Sequence, residues 1–153
     1  MTAITNKKTV PIHLSILRVG NTLWSFPQIQ IAHIALISDM NRDAANNSSL
    51  GKVNYDNKLW PIYAIDDKST LTYVMPSDGR YCICFHADKE ENLFGLIVDS
   101  IEQYILEDVE YIHPIPECMY NPSFPKLRYF NHRQQVSLVA TAKDMHQYLL
   151  TSR

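Results

Sequence analysis

Between Ile12 and Ala140 this chain carries short apolar runs, several of them alternating with a period of two, separated by turn residues, and that pattern points to β-structure. Ile12-His13-Leu14-Ser15-Ile16 alternates, Gly20-Asn21 supplies a turn, and Leu23-Trp24-Ser25-Phe26 restarts the pattern, so the opening segment predicts a hairpin. Ile29, Ile31 and Ile34 follow at looser spacing, as in a strand with a bulge or a short helical turn. Ser38 to Ser49 has little to bury and predicts a long mobile loop. Gly51 to Ile65 predicts two short strands around Asp56-Asn57, a pair suited to the positive φ angles of a tight turn, with Pro61 at an edge or bulge. Tyr81–Phe85 and Leu93–Val98 read as strands, and Gly95 inside the second predicts a position with no room for a side chain. Pro114, Pro116, Pro122 and Pro125 mark an irregular segment, after which Val136 to Ala140 supplies a last strand.

The period then changes. Thr141 with Asp144 three residues on resembles a capping box, and Met145, Tyr148 and Leu149 form the apolar stripe of a short C-terminal helix packed back onto the body. Many short strands with one terminal helix predict a mainly β fold of small barrels sharing a continuous apolar core. The 153 residues suffice for one substantial core or two small fused ones, without disulfide or metal. The longest apolar runs, such as Leu93 to Val98, fall far short of the ~20 residues of a membrane span, which predicts no direct membrane insertion. Met1 to Val10 lacks the apolar stretch of a secretory signal, so residues 1–10 are expected to be a flexible tail on a cytoplasmic protein. The net charge of −2 and the absence of any basic run beyond Lys7-Lys8 argue against a nucleic-acid partner.

Chemistry leaves little trace. Cys82 and Cys84 share one strand face, but a structural zinc site asks for wider spacing and a second ligand pair, so they read as small buried hydrophobes. His113, Cys118 and His132 contain the ingredients of a thiol nucleophile and base, yet nothing around Cys118 marks it as activated. Four glycines form no phosphate-cradling loop, and Glu90-Glu91 beside Lys89 reads as a solvated hairpin tip. No catalytic residue, metal or cofactor is expected.

Three segments in order carry a resemblance. Val19-Gly20 and Ile31-Ala32-His33-Ile34 lie in a span, Leu14 to Ile34, that is similar to an opening hairpin leading into a Val-x-Glu-Val pattern. Gly51 to Ile62 is similar to Gly-x-x-Asn-Leu-Arg-Gly-x-x-x-Pro-Val, with the same step from Gly51 to Pro61. Phe94-Gly95-Leu96-Ile97-Val98-Asp99-Ser100-Ile101, then Ile112-His113-Pro114-Ile115-Pro116, resembles Phe-Gly-Leu-x-Val-Asp-x-Val and a later Pro-x-Pro. These are patterns of the CheW-like adaptors of bacterial chemosensory arrays. Over residues 11–152 the resemblance implies a single CheW-like domain of two intertwined, packed five-stranded SH3-like barrels with a short C-terminal helix. It implies a non-enzymatic adaptor, whose partners are the regulatory domain of a CheA-type histidine kinase and the cytoplasmic tip of a chemoreceptor. Docking is expected at exposed strand edges around Ile31, His33, Ile34, Val53, Tyr55, Asp56, Val98 and Asp99. Where the family has Glu, Arg-Gly and Asp, this chain has His33, Asp56-Asn57 and Ala64. The departures suggest an auxiliary adaptor resembling those of type IV pilus (twitching-motility) systems, or a diverged two-barrel module with a non-chemosensory partner.

Overall fold

Alternation along the first two strands puts one set of side chains on each face, and the two faces feed two different apolar clusters. The computed structural model describes residues 10–45, 49–86 and 92–151. β1 (Ile12–Val19) turns at Gly20, where φ is +59°, into β2 (Thr22–Pro27). A 3-10 turn over Gln28–Gln30 leads to β3 (Ile31–Leu36), β4 (Gly51–Tyr55), β5 (Lys58–Ile65), the two-residue β6 (Leu71–Thr72), β7 (Tyr81–Phe85) and β8 (Phe94–Val98). The chain continues through β9 (Ser100–Leu106), the two-residue β10 (His113–Pro114), β11 (Arg128–His132) and β12 (Gln135–Val139) to the helix α1 (Ala142–Thr151).

Two six-stranded sheets result. The first runs β10-β11-β12-β2-β1-β9, and the second runs β3-β7-β8-β5-β4 with β6 beside β5. Each therefore has the five expected strands plus one of two residues. Each also contains one parallel pairing, β12 with β2 and β5 with β8, among antiparallel ones. The sheets curl until distant strands touch. Tyr104 of β9 stacks near Phe130 of β11 at 6.0 Å, and His33 of β3 lies flat on Tyr55 of β4 with ring centroids 4.0 Å apart.

The two faces of each sheet feed different cores. Leu14, Ile16, Leu23, Leu106 and Phe130 fill the inside of the first barrel. Val53, Trp60, Ile62, Ala64, Cys82, Cys84 and Ile97 fill the second. The alternate residues, among them Leu17, Val19, Trp24, Phe26, Ile83, Phe85, Phe94, Leu96 and Val98, meet in the largest cluster, between the barrels, which Met145, Tyr148 and Leu149 of α1 close off. The apolar core is thus three clusters, because a strand whose neighbours on both faces are protein has no solvent face.

The hairpin, bulge and helix expectations hold. The β3–β7 register shifts between Ile31 and His33, and Asp56 and Asn57 have φ of +54° and +58°. A Cβ on Gly95 would lie 2.6 Å from Ile62 Cδ1 and 2.8 Å from the Ile83 carbonyl oxygen, so the parallel strand and its neighbour leave no space. Other expectations need correction. Where a long loop is expected after β3, Ile37–Asp39 and Arg42–Ala44 form 3-10 turns, Met40 between them is buried, and Asn41 bridges to Lys52. Pro61 sits in an interior strand, tolerated because the ladder to β8 begins one residue later, at Ile62. Strands β9 and β11 have no clean alternation, and the sequence does not announce them. Residues 1–9 and the Lys89-Glu90-Glu91 tip lie outside the described residues; Val10 is exposed.

Candidate protein-binding surface

The predicted docking residues separate into two groups. At the β3–β4 seam of the second barrel, the bulge after Ile31 turns His33 toward the far edge of the sheet, where its ring lies on Tyr55 with only 2° between the planes. Tyr55 is held in turn, since the Trp60 Nε1–H donates to its carbonyl oxygen at 3.0 Å and the two rings sit 6.3 Å apart. His86 meets the edge of Trp60 on the other side. Asp56 and Asn57 follow at the exposed tip of the hairpin, where short polar side chains are the non-glycine residues that tolerate positive φ. Ile34 is exposed on β3 at 41%, and Ile31 is half-buried against the inter-barrel cluster.

Val53 and Val98 do not belong to a surface. They are 2% and 0% exposed, Val53 because it lies on the inward face of β4 inside the second barrel, and Val98 because β8 is buried along its whole length and this residue lies between the barrels. Asp99 belongs to a different place from the seam. It ends β8 against the β1–β2 turn, and its Oδ2 accepts the Gly20 N–H at 2.9 Å. Burial pushes its carboxyl above the ordinary carboxylate value, the Gly20 N–H pulls it back, and Asp78, Arg18 and Asp67 add smaller pushes in alternating directions. Asp67 also accepts the Asn21 N–H, so the two carboxylates brace one turn. Their described contacts are those of a structural corner.

Sequence reasoning missed the exposed apolar residues Leu36 and Leu59, which flank the seam at 55% and 57%. Both sit in largely apolar runs, Ile31–Leu36 and Lys58–Ile65, in which tertiary packing decides which residues look outward. The cysteines behave as expected. Burial pushes the Cys82 thiol up to about 11, with Asp39 adding to it, and the Cys84 thiol up to about 12, with Cys82 adding to it. Cys118 stands exposed in a 3-10 turn, and His132 is engaged elsewhere, its Nε2 lying 3.3 Å from Glu102 Oε2. Among the described residues no cluster of His, Cys, Asp and Glu has the arrangement of a metal site. No described helix is long and apolar enough to cross a membrane.

No family model matches this chain, and no curated protein matches it by sequence. Solved structures do match. The scaffolding protein TtCheW from Thermoanaerobacter tengcongensis superimposes with a TM-score of 0.63 at 14% identity, over 89% of this chain and 92% of that one. Two curled sheets with a shared middle layer and one C-terminal helix are therefore the CheW-like fold.

Proposed function

We propose that this chain is a non-enzymatic adaptor of a chemosensory complex, coupling the regulatory domain of a CheA-type histidine kinase to the cytoplasmic tip of a chemoreceptor. The observation that carries the reading is the fold, shared over 89% of the chain with a scaffolding protein. The β3–β4 seam supports it: His33 stacks on Tyr55, and the exposed Ile34 and Asp56 stand next to them in sequence, an aromatic centre with aliphatic and charged neighbours of the kind that docks another protein. A place in a type IV pilus system follows from the residue departures and is tested by adjacent kinase or pilus genes.

The decisive measurement is calorimetric titration with the purified kinase regulatory domain and, separately, with a receptor-tip fragment. Both are expected to bind. Asp56 is the sharpest test of the seam, because a charge about 4 Å from a partner charge is worth on the order of 1–4 kcal/mol. Asp56→Arg alone confounds this, since φ of +54° would strain the new residue. Asp56→Asn removes the charge and keeps the turn. Its thermal stability should be unchanged while affinity for a partner carrying a basic residue opposite falls about tenfold. Folded protein that binds neither fragment would refute the coupling role and leave a two-barrel module with another partner.

A further inference from the structure

The four outer strands of the two sheets are not equally protected. Unpaired strand edges invite pairing with other chains, and proteins guard them with short strands, proline, bulges or lysine. β10 is two residues long and ends in Pro114. β3 is broken by its bulge, and β4 is met by the Asn41–Lys52 bridge. β9 has one guard, the inward Glu102 at the end pinned to β11, and none over its Tyr104–Leu106 half. It is seven residues long, contains no lysine, proline or glycine, keeps an unbroken register with β1 from Arg18–Ser100 to Ile12–Leu106, and has no ladder on its other side among the described residues.

The space beside it is wedge-shaped. At the Glu102 end β9 is pinned to β11 and the turn that follows, with Arg133 Nη2 2.9 Å and His132 Nε2 3.3 Å from the two Glu102 oxygens, and Tyr104 packed on the His132 ring at 4.6 Å. Beyond Tyr104 the seam opens into a cleft of about 550 Å³, between Tyr104, Leu106 and Glu107 on one side and Tyr111, His113 and Asn131 on the other. Ile105 beside it is 53% exposed. We infer that this open half of the β9 edge receives an extended, basic segment of a partner protein, which adds to the first sheet as a strand.

Charge selects the occupant. From Ser100 to Ile112 the chain carries Glu102, Glu107, Asp108 and Glu110 and no lysine or arginine. A second copy pairing β9 to β9 would bring two acidic segments together, whereas a strand alternating apolar and basic residues sets its lysines on the outward Glu107 face and its apolar groups on the opposite face, over Tyr104 and Tyr111. The surface lies on the other barrel from the β3–β4 seam and stands whether or not a kinase binds there.

The test uses a fluorescein-labelled octapeptide of alternating lysine and valine, with the glutamate–valine octapeptide as control, on the full chain. The lysine–valine peptide should bind, more weakly as salt rises, and should slow amide hydrogen exchange in Ser100–Leu106 but not in Ile31–Leu36. Ile105→Lys and Glu107→Lys, both at exposed positions, should each weaken binding at least tenfold with unchanged melting temperature, and Leu36→Lys should leave it intact. Equal binding of the glutamate–valine peptide, protection outside β9, indifference to both β9 variants, or a peptide-free dimer with protected β9 amides would each overturn the inference.

Discussion

Gly95 shows how one residue records a three-strand contact. Its absent Cβ would press the Ile83 backbone, which cannot move aside, whereas the nearest atom to a Cβ on Gly79 is Ile97 Cγ2, the end of a side chain, at 2.6 Å. Gly95→Val should cost about 1–3 kcal/mol in urea unfolding, as overpacking does, and Gly79→Ala clearly less; equal costs would count against the assignment. Gly79 is not the neutral loop site its sequence context suggests, because the loop folds onto β8. The thiols give a second prediction. With Cys82 and Cys84 buried and their ionisation raised to about 11 and about 12, only Cys118 should react with a thiol reagent at pH 8 in the native protein, and all three in denaturant. The linkage has a definite sign. In the unfolded chain the thiols ionise near 9.0 while the folded chain holds their protons, so stability is lost as pH rises above about 9. Replacing both with alanine should flatten that alkaline loss.

At the scale of elements, α1 is specified twice over. The Thr141 hydroxyl accepts the Asp144 N–H at 3.1 Å, and Gln30, from the turn that carries the chain between barrels, accepts the Ala142 N–H at 2.7 Å. The first cap is legible in the sequence, being local; the second is not, because its partner lies 112 residues away. Thr141→Ala should cost about 1 kcal/mol. Met145→Ala, at a position with 0% exposure in the inter-barrel cluster, should cost about 2–5 kcal/mol in the same unfolding assay. A Met145→Ala cost near that of an exposed-site substitution would show that the helix is not docked. The strands that escaped sequence reading have a common cause. In β9 Glu102 faces the same way as Tyr104 and Leu106, where it is paired with His132 and Arg133, so an inward charge interrupts the apolar period. In β11 the inward residues Phe130 and His132 are too few to make a pattern.

For the whole molecule, the middle cluster decides how it behaves. The first sheet takes β1 and β2 from one end of the chain and β9 to β12 from the other, and the largest core lies between the sheets, so neither barrel covers its inter-barrel face without its neighbour. Unfolding should be a single transition. The two tryptophans can check it, because Trp24 lies in the inter-barrel cluster and Trp60 inside the second barrel. In Trp60→Phe the remaining fluorescence reports the middle layer, and in Trp24→Phe it reports the second barrel. Within each variant, fluorescence and far-ultraviolet circular dichroism should give the same midpoint; separated midpoints would mean barrels that melt independently. Trp24→Phe should also be mild for its size, since the Trp24 Nε1–H is buried without an acceptor among the described residues and phenylalanine removes that unmet donor. By itself the sequence determined whatever is local: the period of the strands, the positive-φ residues Asp56 and Asn57, the Thr141 cap, and the tight fit at Gly95. Only the tertiary structure decided which alternate face is outside, so that Val53 and Val98 are buried while Leu36 and Leu59 are exposed, and that His33 meets Tyr55 across the seam. A period-two pattern fixes which residues share a face, and the packing of a second sheet then fixes whether that face meets protein or water.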